Sequence, residues 1–314
     1  MNNTAVVVDG NLMAFKAFST RTFTSKDGRP TSVIHGLLQT LNTAYTRNQY
    51  DKLLVCWDYG KSKKRLKRDK NYKANRGKME SDDYKRFKEE MKMAQEFLET
   101  LKIPQLKIYE VEGDDMIGIA SRHLMKQGFN VIVVSEDRDL LQLINSKVKV
   151  WRPKTKKLFD KKMFAKEYEG LKPKDLIKMK SLMGDKGDNI PSIPGIGTKT
   201  AIWLVKQYPT LQDKNIDIND IKSKRYRVAM DKVLANFEQI SMAYDLAKIA
   251  LKPEELEIKK HIKECKRLLK NLDNELPPIK MRKFQKLLKQ LQLGSALNRV
   301  ERASKTLCLN IKGN

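Results

Sequence analysis

Carboxylates recur in this chain just after short apolar runs. Residues 6–8 are followed by Asp9 and residues 53–57 by Asp58. Residues 108–111 are followed by Glu112, Asp114 and Asp115, and residues 131–134 by Ser135, Glu136, Asp137 and Asp139. Oxygen donors without His or Cys select hard cations, Mg²⁺ or Mn²⁺. Gathered acids repel one another unless such a counterion is present. Two divalent ions roughly 3.5–4 Å apart suit phosphodiester hydrolysis, one activating a water and the other stabilising the leaving oxygen. The candidate ligands are therefore Asp9, Asp58, Glu112, Asp114, Asp115, Asp137 and Asp139. Asp114 and Asp115 would also be favoured in a first helical turn by the macrodipole, by about 0.3–1 kcal/mol each. Recurrence at four run ends exceeds what capping needs.

Two further groups suit a polyanionic substrate. Gly195-Ile196-Gly197, preceded by Pro191 and Pro194, lies between two helical patterns. Glycines there let backbone amides approach a phosphate at a helix start, with Lys199 in reach. Asp185 and Asp188 stand immediately upstream. Tyr72, Lys73 and Arg76 lie in a basic run at 60–78 that is broken by Tyr72 and Gly77. An aromatic among cations can stack on an unpaired base, and Lys73 and Arg76, at helical spacing, would face one phosphate together.

The elements that must position these residues are legible as well. Short β-branched runs read as buried parallel strands, whose ligands bind at the carboxyl ends. Helical periodicity fills 33–46 between the first two strands. It returns at 80–101, where Tyr84, Phe87, Met91, Ala94, Leu98 and Leu101 share a stripe ended by Pro104. A helix opens at Asp114 and ends by Gly128, others run over 174–183 and up to Tyr208, and Val148 to Trp151 leads into a turn at Pro153. Beyond Pro253 come Lys-rich amphipathic helices broken by Pro277-Pro278. The fold class expected is α/β, a central, mostly parallel sheet flanked by helices.

Of 314 residues, 64 are Lys or Arg and 38 Asp or Glu, a formal net charge of +26. A cationic chain that concentrates acids at one sheet edge points to a nucleic-acid partner and a metal-dependent site in one molecule. Cys56, Cys265 and Cys308, and His35, His123 and His261, are widely scattered and form no metal-ligand or disulfide pattern. No apolar stretch reaches the ~20 residues of a membrane span, and the first strand leaves no room for a signal peptide. These features imply a soluble, cytoplasmic protein with no membrane partner, and a monomer is expected.

In this order, VVVDG (6–10), Asp58 followed by Tyr72-Lys73-Ala74-Asn75-Arg76, VEGDD (111–115), SEDRD (135–139) and MGDKGDNIPSIPGIGTKTA (183–201) resemble the 5′ nucleases: phage flap endonucleases and the 5′-nuclease domains of bacterial DNA polymerase I. The resemblance implies a PIN-like core over 1–170 with a helical arch at about 60–100. It further implies a helix–three-turn–helix (helix-hairpin-helix) duplex grip within 171–250 and a basic extension over 251–314. It implies two Mg²⁺ ions, with Mn²⁺ able to replace them, held by the seven acids together with Asp185 and Asp188. K⁺ would bind main-chain carbonyls near Gly195–Thr200. Asp115, Lys73 and Arg76 would serve catalysis; Tyr72, Lys73, Arg76, Gly195, Gly197 and Lys199 would touch DNA. Lys63 and Lys64 stand where that family commonly carries an apolar or aromatic residue, making the arch more cationic. The implied activity is flap endonuclease and 5′→3′ exonuclease on 5′ flaps, nicks and free 5′ ends, with RNA–DNA hybrids as further substrates. A stand-alone nuclease of phage replication and primer removal is the expected setting. A PIN-like ribonuclease and a non-catalytic junction binder are the alternatives; the completeness of the acid set disfavours the second.

Overall fold

The apolar runs form a single sheet whose strand order brings the acids together. A computed structural model describes residues 3–20, 23–24, 28–48, 52–75, 81–100, 102–209 and 218–272. In chain order the elements begin β1 (Thr4–Asp9), α1 (Gly10–Thr20), α2 (Ser32–Asn48), β2 (Lys52–Cys56), α3 (Lys63–Arg68), α4 (Ser81–Thr100), β3 (Gln105–Leu106), α5 (Gly113–Lys126) and β4 (Asn130–Val134). They continue β5 (Val148–Arg152), β6 (Lys157–Phe159), α6 (Lys161–Glu167), α7 (Leu176–Met183), α8 (Thr198–Gln207), α9 (Lys224–Ala235), α10 (Phe237–Ala247) and α11 (Lys259–Leu272). The strand order is β3-β2-β1-β4-β5-β6, parallel throughout except for the β5–β6 pair. The mostly parallel sheet flanked by helices is the PIN-like arrangement.

β1 lies at the centre, paired on one side with β2 and on the other with β4. Its residues alternate between faces, as a strand requires. Val6 and Val8 pack with Met13, Ile34, Leu37, Phe97 and Leu98 of α1, α2 and α4, while Ala5 and Val7 pack with Met116, Ala120 and Leu124 of α5. Each Val, Leu, Ile, Phe or Met side chain taken out of water in this way contributes about 1.5–3 kcal/mol. The chain leaves β1 in one direction to build β2 and β3, then returns to build β4, β5 and β6. The crevice at β1/β4 is therefore a topological switch point, where ligands of open α/β sheets bind.

Two expected elements differ. Residues 108–111 do not form a strand; the third strand is shorter and earlier, at Gln105–Leu106. Tyr109 is 56% exposed and Glu110 has a φ of +63°, so the chain turns before Glu112 instead of running straight into it. Lys73 is not helical: α3 ends at Arg68, and Lys73 sits in a turn with φ +56°. The Lys73–Arg76 pairing at helical spacing is therefore not built as expected; Arg76, like Leu101 and residues 273–314, lies outside the described residues.

On the α5 side of the sheet, one apolar cluster continues from Val7 and Met116 through Met179, Leu204 and Val233 to Leu269. The expected segments 1–170, 171–250 and 251–314 thus share a core among the described residues. Gly118 of α5 shows how closely they meet: a Cβ there would lie 2.4 Å from the Ala250 carbonyl oxygen. Gly118→Ala is expected to cost about 1–3 kcal/mol by overpacking, read from the midpoint of a urea melt. Among the described residues, no helix is long and apolar enough to cross a membrane.

Candidate active site

Four acids converge where β1, β2 and β4 end and α5 begins. Asp9 closes β1 and is 7% exposed. Its Oδ1 accepts the Leu12 amide at 3.0 Å and its Oδ2 the Ser135 hydroxyl at 2.7 Å, so α1 and β4 both fix its orientation. Burial pushes its carboxyl up to about 7; these two hydrogen bonds oppose the shift, and the neighbouring Asp58 and Asp137 add to it. Asp58 follows β2, donates its own amide to Asn11 Oδ1 at 3.0 Å and accepts the Gly113 amide at 2.6 Å. Asp114 lies in the first turn of α5. Burial, then repulsion from Asp137, Asp9 and Asp58, hold its carboxyl well above the usual range, with Lys73 opposing. Asp137 donates its amide to Ser135 Oγ at 3.0 Å and accepts that of Asp139 at 2.8 Å.

A second group stands beside the first. Carboxylate oxygens of Asp139, Asp185 and Asp188 lie within 4.8 Å of one another. Asp139 is carried by the turn after β4, the other two by the loop after α7. That loop reverses sharply: Asp185 and Ile190 exchange backbone hydrogen bonds of 3.0 and 2.8 Å. Gly184 enters it with φ +68°, where a Cβ would lie 2.6 Å from the Ile190 carbonyl. Burial pushes Asp139 up to about 6, with Lys180 opposing and Asp137 adding.

Cations enter this group from two sides. Lys180, 8% exposed on α7, places its ammonium 2.7 Å from Asp185 and in contact with Asp139. Lys73 donates its amide to the Asp188 carbonyl at 2.9 Å. Its ammonium lies 2.8 Å from Glu112 and 3.8 Å from the Asp188 carboxylate.

Asp115 departs from the ligand role expected of it. It is 1% exposed, and both its oxygens are taken. Arg65 donates to Oδ2 at 2.6 Å and to Oδ1 at 3.1 Å, and the Ala250 amide donates to Oδ1 at 2.8 Å. Burial alone would raise its carboxyl, but the guanidinium overcomes this and holds it below the ordinary value. Arg65 in turn donates to the carbonyls of Leu246 and Lys248 at 2.9 and 3.1 Å and pairs with Glu112 at 3.0 Å. Asp115 and Arg65 thus tie α3 to α5 and to the end of α10. Successive helical residues point about 100° apart, so Asp114 faces the acids while Asp115 faces α3.

Tyr72 is corrected too. Its ring is 4% exposed and packs with Ile177, Ile190 and Leu246, which leaves no face for a base. Its hydroxyl lies 3.2 Å from Glu112 and 3.1 Å from Asp188, ordering those carboxylates from behind. Gly195, Gly197 and Lys199 are exposed where the loop from α7 enters α8. Gly195 has φ +83°, and the Pro194 carbonyl beside it accepts Lys232 Nζ at 2.9 Å.

Lys180 and Arg65 join the site although neither is among the residues the sequence points to. Lys180 carried a readable signal, a lysine on a helix whose Leu176, Ile177, Met179 and Leu182 are all buried; buried lysines are almost always paired. Arg65 looks like its neighbours Lys63, Lys64, Lys67 and Arg68; only the family resemblance, which matches an arginine there, sets it apart.

Comparison with known proteins agrees with this geometry. Residues 4–169 match the family model of the 5′-3′ exonuclease N-terminal resolvase-like domain, and residues 171–273 that of the 5′-3′ exonuclease C-terminal SAM fold. A 5′-3′ exonuclease of Buchnera aphidicola (Schizaphis graminum) is 32% identical over 278 residues, covering 85% of this chain and 94% of its own. DNA polymerase I of Bacillus subtilis is 33% identical over 78% of this chain and 27% of the polymerase. Among solved structures, a bacteriophage T5 flap endonuclease in a pseudo-enzyme-product complex with DNA and metal ions superposes with a TM-score of 0.66, at 21% identity, over 85% of this chain and 99% of that one. With both halves matched in order and the acids gathered at the sheet's carboxyl edge, the chain belongs to the 5′-3′ exonuclease family.

Proposed function

We propose that the chain is a divalent-metal-dependent, structure-specific 5′ nuclease that cleaves DNA at 5′ flaps, nicks and free 5′ ends. The observation that carries this reading is the convergence of Asp9, Asp58, Asp114 and Asp137 beside Asp139, Asp185 and Asp188, with the carboxyls of Asp9, Asp114 and Asp139 raised by burial and mutual repulsion. An all-oxygen donor set fits a hard divalent cation, Mg²⁺ or Mn²⁺. The first four acids would hold one ion and the second three another. When bound, such ions offset charge on the phosphoryl group and lower the pKa of a bound water.

The chain's own residues supply positioning. Lys73, held by Glu112 and the Asp188 carbonyl, presents an ammonium to a phosphate arriving at the acids. Tyr72 and Arg65 fix Glu112, and Lys180 holds Asp139 and Asp185 together. Gly195, Gly197 and Lys199 form an exposed helix entry suited to the phosphates of the duplex, reading backbone and not sequence. The main-chain carbonyls of that turn would seat a K⁺ ion. The free, buried thiols of Cys56 and Cys265 suit a reducing cytoplasm. The T5 flap endonuclease, solved with DNA and metal ions, supports the substrate class.

The test is a cleavage map on end-labelled flap, nicked and gapped duplexes, with and without Mg²⁺, beside single-stranded RNA of equal length. Cuts near the junction that need the metal are expected; preference for the RNA would reverse the reading in favour of a ribonuclease. In the same assay Lys73→Ala is expected to lower turnover about 10²–10³-fold, the scale of one preorganised charge, while flap affinity changes little. Wild-type turnover in that variant would remove Lys73 from the machinery.

A further inference from the structure

At the opposite end of α5 from the acids lies a cavity of about 550 Å³. Arg122, which lines it, sits eight residues beyond Asp114 and so roughly 12 Å further along the helix axis. Val148, also in its wall, opens β5 and pairs with Val131 at the amino end of β4, whereas the acids follow the carboxyl ends.

The composition of the wall is one-sided. Met125, Leu143, Ile144, Leu171 and Leu251 supply apolar surface, and Arg122, Lys161, Lys172 and Lys174 supply positive charge. No Asp or Glu lines the cavity. Among the described residues none of the four cations is ion-paired. Two buried polar atoms in the wall lack hydrogen-bond partners: the hydroxyl of Ser121, a residue only 2% exposed, and Nε of Arg122. An unpaired buried donor costs about 1–3 kcal/mol, so both atoms call for an acceptor.

We propose that this cavity docks an acidic peptide of a partner protein, with an apolar side chain seated on the floor and carboxylates on the rim. No Phe, Tyr or Trp lines the wall, so a nucleotide base finds no stacking platform of the kind single strands use. Flexible methionine and aliphatic surface suits a peptide side chain instead. Cations contributed by α5, α6 and the segment before α7 match several carboxylates along a peptide better than one phosphate. The guanidinium edge of Arg122 recognises a planar carboxylate, and the Ser121 hydroxyl can donate to a peptide carbonyl. A partner seated there leaves the acid crevice open and raises the local concentration of nuclease near whatever that partner binds.

The probe is a fluorescein-labelled peptide, Asp-Asp-Asp-Leu-Phe with a free carboxyl terminus, followed by anisotropy on the full chain. Saturable binding is expected, weakened at least tenfold by Arg122→Glu and by Ala165→Leu, which fills the cavity. A Lys-Lys-Lys-Leu-Phe peptide should not bind, and Asp-Asp-Asp-Ser-Ser should bind at least tenfold more weakly. Flap cleavage by the variants should match wild type, showing that they are folded. If Ala165→Leu fails that check, Arg122→Glu and the exposed Lys174→Glu decide. Absence of saturable binding, equal binding by wild type and Arg122→Glu, or displacement of the peptide by thymidine 5′-monophosphate or a short oligothymidylate would each overturn the proposal; displacement would assign the cavity to nucleotides.

Discussion

Asp114→Asn is expected to make the metal-free protein more stable and its turnover roughly 10³-fold slower, the scale on which preorganised charge contributes to catalysis. The two effects have one origin. Asp114 is held by burial among Asp137, Asp9 and Asp58, and this repulsion opposes folding unless a proton or a cation offsets it. Asparagine keeps the shape and removes the charge. Relief of about 1 kcal/mol would read as roughly 1–2 °C in Tm for a protein of this size. Added Mg²⁺ should raise the Tm of wild type by mass action and that of the variant by less. The pH dependence has the same sign. Asp9 takes up its proton at about 7 in the folded chain, above the unfolded value of 3.8. Between those values the native state binds more protons than the unfolded one, so stability falls as pH rises through this window. A metal-free Tm that rises from pH 5 to pH 8, or an Asp114→Asn enzyme that cleaves flaps normally, would contradict the assignment.

The adjacent acid should behave in the opposite way. Arg65→Met strands Asp115 as a buried charge and is expected to destabilise by about 3–5 kcal/mol, as broken buried pairs do. The double variant Arg65→Met/Asp115→Leu should recover much of that loss, because a matched apolar pair often replaces a buried ion pair at little cost. Asp115→Asn should lower Tm while retaining far more activity per folded molecule than Asp114→Asn. Asp115 holds its charge through a carboxyl lowered below 3.8, so its contribution is complete above that value and is lost only as pH falls through the lower one. That window lies below the one set by Asp9. Abolished turnover in an Asp115→Asn protein of unchanged Tm would return Asp115 to the set of ligands.

The strand-end rule brought the acids to one sheet edge because it depends only on local sequence and on parallel topology. A β-branched run closing on an acid needs no knowledge of distant residues, which is why Asp9, Asp58 and Asp137 fall together. Asp114 and Asp115 could not be told apart in this way. Their difference is set by Arg65, fifty positions earlier in a run of cations that look alike. Tyr72 was misjudged for a related reason. Aromatic residues in basic runs suit base stacking, but its neighbours Ile177, Ile190 and Leu246 come from α7, the following loop and α10. The strand expected at 108–111 failed on backbone conformation, since apolar alternation does not reveal a positive φ at Glu110.

The central place of β1 also shapes the order of assembly. Val7 pairs with Leu54 and with Val133. At a synthesis rate of about 5–20 residues per second, the second partner leaves the ribosome some 6–25 s after Val7 does. During that interval the half-built sheet of β1, β2 and β3 carries the strand that is central and fully buried in the finished fold as an open edge, the kind of template that recruits foreign strands. The late addition of β4 closes it, and only then can the acids that terminate both strands meet. The nascent chain therefore spends its most vulnerable period without a complete metal-binding crevice and cannot rely on ions to hold it together.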